Sequence, residues 1–294
     1  MDINNMGMTL THEHIMSNFG ANVNDASNYN EAAAFKQIIP YLKNLKDKGI
    51  HTIFDCTTAF FGRRVDLLKK ISEATGIQIV TNTGYYGAAN DNYIPEFAYN
   101  ESVEAISKKW ISEFENGIDS TNIKPGFIKL AFDAGMPSEI DKKLFEAGVL
   151  THKKTGLTLA VHTAENIEAI EAQLNLLEKH HVRYDALIWV HANKIENTAY
   201  LLEQASKGLW ISLDGVTASN TNHYITILKE FKSKKLLHKI LISHDGNSFP
   251  RGQKIRPYDA IPDVLIPEIL TAGFTENDIN QLLVENPKNA FSNQ

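Results

Sequence analysis

Residues 157–192 read LTLAVHTAENIEAIEAQLNLLEKHHVRYDALIWVHA. Two short runs, LTLAVHT (157–163) and ALIWVHA (186–192), flank a longer segment with a different rhythm. The runs are continuously apolar, as strands buried on both faces are. Between them, Ile167, Ile170, Leu174 and Leu177 fall on one face of a helix that Glu165 and Glu168 open. Acidic residues in a first helical turn complement the helix dipole. Strand, helix and strand in this order make a parallel crossover unit.

The same alternation extends outward in both directions. Six further runs are GMTLTHEHI (7–15), HTIFDCTT (51–58), IQIVTNTGYY (77–86), FIKLAF (127–132), LWISLDGV (209–216) and ILISHDG (240–246). Leu201, Leu202 and Ala205 mark a helix over 195–207, and Ile227, Leu228 and Phe231 one over 222–236. Gly49, Gly76, Gly156 and Gly208 each stand at a helix end just before the next strand, where a left-handed residue stops a helix. Eight runs in 294 residues leave about 37 residues per unit, near the ~30 of one strand–helix unit. The pattern predicts an α/β chain folded as a closed (β/α)8 TIM barrel, one domain over 1–294. A doubly wound open sheet is the structural alternative. It would usually carry a Gly-rich phosphate loop after an early strand, and none is present.

Composition narrows the class. With 43% hydrophobic and 22% charged residues the chain has an ordinary globular balance. The formal net charge of −6 argues against a nucleic-acid partner. The single cysteine, Cys56, excludes an intrachain disulfide and reads as inert core. The opening MDINNMGMTLTHEHIM has neither a basic leader region nor a long apolar stretch. No run reaches the ~18 apolar residues of a membrane span. The expectation is a soluble, cytoplasmic protein acting on a small molecule, with no membrane partner.

In such a barrel the active site lies at the C-terminal ends of the strands. The first run ends in His12-Glu13-His14, the fourth holds Lys129, the fifth ends with His162, the sixth with His191 and the eighth with His244-Asp245. His12 and His14 are two apart and share one side of a strand, half of a tetrahedral metal site. His180-His181 and His238 read as helix-end residues. Lys129 sits among Phe127, Ile128, Leu130, Ala131 and Phe132. Desolvation favours its neutral amine, which can take up carbon dioxide as a carbamate able to bridge two metal ions. The alternative is an ion pair with Asp133 or Asp55. Asp245 suits both metal ligation and removal of a proton from water, or it caps the following loop.

These motifs carry a family resemblance. TLTHEHI, FIKLA, AVHTAEN, WVHANK and LISHDG occur in order, and the chain resembles the phosphotriesterase-like branch of the amidohydrolase superfamily. The tail GFTENDINQLLVENPKNAF, with Asn286-Pro287, resembles that family's last helix. The resemblance implies two divalent metal ions. One would be held by His12, His14 and Asp245 and the other by His162 and His191, with carboxylated Lys129 and a hydroxide bridging them. Zinc suits such ligands best; manganese, cobalt and iron are the alternatives. The resemblance also implies a homodimer.

The departures from that pattern direct the substrate reading. Organophosphate-cleaving members carry a histidine, and members cleaving acyl-homoserine lactones an arginine, after the aspartate of the seventh strand. Here that pair is Asp214-Gly215. Ala192-Asn193-Lys194 follows His191, where an acid would complete a proton shuttle. The eighth loop, NSFPRGQKIRPYDAIP (247–262), is short and polar and brings Arg251, Lys254 and Arg256. Tyr85, Tyr86, Lys194, Arg251 and Arg256 are therefore the candidate substrate contacts. The expected activity is hydrolysis of a small polar lactone, with an anionic sugar lactone foremost. Phosphoester hydrolysis and a non-catalytic binding role on the same barrel are the competing readings.

Overall fold

The computed structural model describes residues 5–19, 30–163, 167–249 and 255–292. In chain order the main elements are β1 (Met8–His14), α1 (Glu31–Asp47), β2 (Ile50–Asp55), α2 (Val65–Thr75), β3 (Gln78–Val80), β4 (Asn82–Thr83), α3 (Phe97–Asn100), α4 (Val103–Asn116), β5 (Phe127–Ala131), α5 (Glu139–Thr155), β6 (Leu159–His162), α6 (Ile167–Lys179), β7 (Leu187–Val190), α7 (Thr198–Ser206), β8 (Trp210–Leu213), α8 (Thr221–Ser233), β9 (Ile240–Ile242) and β10 (Gly246–Asn247). All strand pairs are parallel, in the orders β10-β1-β2-β3 and β4-β5-β6-β7-β8-β9. The third and eighth runs are each broken in two. Their first halves pair on one side and their second halves on the other, which closes the ring of eight. This is the stagger that a tilted barrel imposes on its strands. The fold is the (β/α)8 barrel that the run spacing predicts.

Local chemistry sets the helices. Asn30 caps α1 through its side chain, and Ser138 and Asp141 form a capping box at α5. Gly76 and Gly156 end α2 and α5 in the left-handed conformation. Leu201 and Ala205 of α7 and Ile227, Leu228 and Phe231 of α8 face inward as their spacing predicts. On α6 the buried stripe is Ala169, Ile170, Gln173, Leu174 and Leu177, whereas Ile167 is exposed. The expected opener Glu165 lies outside the described residues. His238 sits in a 3-10 turn (Leu237–Lys239) entering β9 rather than at an α-helix end.

Inside the ring, Phe54, Cys56, Val80, Phe127, Ala160, Ile188, Trp210 and Leu241 pack together with Met6 and Phe291. Phe291 stacks on Phe54 at 3.9 Å and plugs the N-terminal end. Asn286 donates to the carbonyls of Leu237 and Ile240 at 2.8 and 2.7 Å, anchoring the tail to the start of β9. Apolar side chains thus occupy the barrel interior, with a cavity of about 840 Å³ beside Met6, Phe54, Val80 and Phe291 at this end, and polar side chains gather at the opposite end. Among the described residues no helix is long and apolar enough to cross a membrane.

Candidate metal centre

Three strand ends bring the first ligand group together. Nε2 of His12 and of His14 lie 3.5 and 3.3 Å from Oδ1 of Asp245. Nδ1 of His14 stands 2.9 Å from the Thr57 hydroxyl, which donates its own proton to the Met16 carbonyl at 2.8 Å. The other ring nitrogen of His14, Nε2, faces Asp245. His191 adjoins this group, its ring centroid 5.0 Å from that of His12 and 4.5 Å from that of His162. All four strand-end histidines of the predicted set therefore meet in one place.

Burial sets the charge of three of them. Desolvation lowers His14 to about 4 and His191 to about 4, and it holds His162 well below the usual range, aided by His191 and Lys129. Neutral imidazoles are the ligand form. For Asp245, burial alone would raise the pKa. The His14 hydrogen bond and the neighbouring His12, His191 and Arg256 outweigh it, and the carboxyl lies well below the usual carboxylate range.

Lys129 is completely buried on β5, and its Nζ has no hydrogen-bond partner among the described residues. Burial lowers its pKa. Neither anticipated ion-pair partner reaches it. Asp133 accepts from the backbone of Ala89 and Asn90 at 2.8 and 2.9 Å, and Asp55 accepts from the Ile15 N–H at 2.8 Å. β5 pairs with β6 so that Ala131 faces His162, which places Lys129 one layer beneath the histidines on the same side of the strand. An orphaned amine below the histidine cluster fits a group that is satisfied by modification or by bridging metal ions.

Asp214 belongs to the same cluster, although the strand-end pattern does not single it out. It is buried at the end of β8, with Oδ1 3.2 Å from His12 Nδ1 and Oδ2 accepting the His191 backbone N–H at 2.8 Å. It thereby links the two histidine groups. His12, His14 and Asp245, and separately His12, His191 and Asp214, are the groups among the described residues that could hold a metal ion. The available signal was the aspartate ending the seventh run, read only as the neighbour of Gly215. That glycine stands at φ +89, so its role is to permit a left-handed backbone rather than only to leave room.

The substrate-contact candidates divide. Tyr86 faces the centre, its hydroxyl 3.5 Å from His162 Nδ1 and its ring stacked on Phe61 at 4.6 Å. Tyr85 turns away into the helical layer, edge-on to Trp110 at 5.2 Å, and is corrected to a packing residue. A polypeptide in extended conformation sends neighbouring side chains to opposite faces, so only one of the pair can reach the site. Lys194 is exposed on a 3-10 turn (Ala192–Lys194) beyond His191. Arg251 and Lys254 lie outside the described residues. Arg256 reaches the centre: its guanidinium is 3.1 Å from Asp245 Oδ2, and its backbone pairs with Asn247.

The family model of the phosphotriesterase family matches residues 1–291. The chain belongs to the phosphotriesterase family. It is similar to the phosphotriesterase homology protein of Escherichia coli, 27% identical over 299 residues, with 99% of this chain and 100% of that protein covered. A crystal structure of that protein complexed with phosphate in its active site superposes with a TM-score of 0.84 at 26% identity, covering 98% of this chain and 99% of that one. The aryldialkylphosphatase of Saccharolobus solfataricus is 28% identical over 309 residues, 98% of this chain and 95% of its own length. The N-acetyltaurine hydrolase of Xenopus tropicalis is 25% identical over 259 residues, 83% of this chain and 73% of its own. The protein is accordingly a phosphotriesterase-family hydrolase, metal-dependent as that family is.

Proposed function

We propose that this hydrolase is a binuclear lactonase for small anionic lactones. The observation that carries the substrate reading is Arg256. Its guanidinium, half exposed, stands 3.1 Å from Asp245 at the mouth of the histidine cluster. A cation there offers a forked, charge-assisted contact to a substrate carboxylate or phosphate close to the scissile bond. Gly215 adds no basic or acidic side chain from the seventh strand end, in contrast to the pattern of triester and acyl-homoserine lactone hydrolases. The N-acetyltaurine named for one set of relatives is likewise a small anionic acyl compound.

His12, His14 and Asp245 would hold one divalent ion and His162 and His191 the other, with Lys129 between them; zinc is the first choice. Bound there, the ions supply an ionised water at neutral pH and polarise a carbonyl. Lys129 would contribute as a carbamate: its neutral nitrogen adds to carbon dioxide, one N–H proton is lost, and a single negative charge shared by two oxygens results. Asp245 takes the proton of the attacking water and returns it to the departing alkoxide of the opened lactone. Tyr86 is placed to donate its hydroxyl to the substrate carbonyl from the His162 side.

The test is a hydrolysis screen with metal-reconstituted protein, followed by pH indicator. Carboxylated or phosphorylated sugar lactones should turn over with higher kcat/KM than long-chain acyl-homoserine lactones or a neutral aryl phosphotriester. A triester or a long-chain lactone in the lead refutes the substrate reading, and no turnover on the whole panel by protein carrying two ions refutes the lactonase.

A further inference from the structure

We infer that Glu13 is the positioning residue that shapes the turn presenting Asp245, and with it the ligand set of one ion. The inference rests on His12, His14 and Asp245 acting as ligands. Glu13 lies between the two histidines on β1, so its side chain leaves the opposite face of the strand. It is fully buried and belongs to neither of the metal-capable groups.

Its carboxylate instead collects the segment around Asp245. Oε1 accepts from the Ser243 hydroxyl at 2.8 Å, from the His244 backbone N–H at 3.0 Å and from His244 Nδ1 at 2.7 Å. Oε2 accepts from the Gly246 N–H at 2.7 Å. His244 Nε2 accepts the Ile261 N–H at 2.9 Å, so the ring proton sits on Nδ1 and points at Glu13. Residues on both sides of Asp245 are thus held by one side chain. Asp245 itself stands at φ +52, a left-handed conformation disfavoured for any residue with a Cβ. Such a conformation persists where its surroundings over-determine it.

The clamp also returns to the histidines. The Ser243 hydroxyl accepts the His12 N–H at 3.0 Å, and the Asp245 N–H donates to the His12 carbonyl at 3.1 Å. In the sheet Glu13 is the register partner of Gly246. A single carboxylate therefore ties the strand that carries His12 and His14 to the turn that carries Asp245. Asp245 is thereby drawn to the two histidines although it lies more than 200 residues from them in the chain.

The test is Glu13→Gln, which keeps the shape but turns an acceptor into an NH2 group facing N–H donors. Zinc affinity is read by chelator competition, and cadmium-substituted protein by metal NMR. One ion should bind about 10- to 100-fold more weakly, the range for loss of a group that orients a ligand. The other ion should keep its affinity, and only one of the two cadmium resonances should shift. Asp245→Asn is the reference and should weaken the same ion. Unchanged affinities in folded Glu13→Gln beside a weakened ion in Asp245→Asn overturn the inference alone. Both ions unaffected in Asp245→Asn overturn the ligand reading beneath it. A parallel loss of both ions with the melting temperature marks Glu13 as structural and also overturns the inference. If Glu13→Gln does not fold, Ser243→Ala removes one of the four donors and leaves the charge. A several-fold loss at that one ion then supports the clamp, and unchanged affinity overturns it.

Discussion

Replacing Lys129 by methionine should change sign between the metal-free and the metal-loaded protein. Lys129 is completely buried, and its Nζ has no hydrogen-bond partner among the described residues. A buried polar group left unsatisfied costs about 1–3 kcal/mol. Methionine has nearly the same length and brings no donor. In chelator-treated protein Lys129→Met should therefore gain about 1–3 kcal/mol. At the lower end of the size scaling for a chain of 294 residues this raises Tm by about 2–6 °C. With zinc and bicarbonate present the order should invert. Wild type should gain about 2.7 kcal/mol for each ion at 100-fold excess over its Kd, and the variant, unable to form the proposed carbamate, should not. The assay is thermal unfolding of both proteins in chelator and in zinc with bicarbonate, with elemental analysis of the loaded samples. A lower Tm for Lys129→Met in chelator would show that Nζ is satisfied in the folded state. Two retained ions in the variant would show that the lysine does not hold them.

Three further outcomes are expected. Asp245→Asn, assayed at saturating zinc with metal content verified, should lower kcat by at least about 10²-fold, the lower end for a general base; full activity removes Asp245 from that role. Arg256→Ala should lower kcat/KM for an anionic lactone by about one to two decades, the equivalent of losing a ~1.5–3 kcal/mol charge-assisted contact, and leave a neutral lactone nearly unaffected; equal losses on both would argue for a purely structural Arg256. In the metal-free protein His191, lowered by burial to about 4, takes up its proton in the unfolded chain first. The unfolded state binds more protons between the ordinary histidine value and about 4, so this contribution is complete above that window and is lost as pH falls through it. Denaturation of wild type and His191→Asn at neutral pH and near pH ~5 should show the wild-type advantage shrinking on acidification; a constant difference would mean that His191 is not held neutral.

Much of the fold is legible in the chain because it depends on local period and on repetition. Eight apolar runs alternating with amphipathic segments leave few parallel arrangements, and closure brings every strand end to one face. Hence His12, His14, His162, His191 and Asp245, named from their places at run ends, meet in the structure. Lys129 too is legible, because an ammonium among apolar neighbours on a doubly buried strand has nowhere to be solvated.

What lies just beyond the strand ends was decided by the tertiary structure. There the alternation stops, and direction is set by hydrogen bonds between segments far apart in the chain. Of Tyr85 and Tyr86, only the folded register shows that Tyr86 faces the histidines while Tyr85 packs on Trp110. Asp214, Thr57 and Glu13 read as ordinary polar residues in sequence, and their partners come from other strands. His191 and Asp245 are held at φ +67 and +52, conformations that no local pattern announces because the stabilising contacts are non-local. Residue type and period determine which side chains arrive at the mouth of the barrel; the distant carboxylates and hydroxyls that meet them determine where each one points.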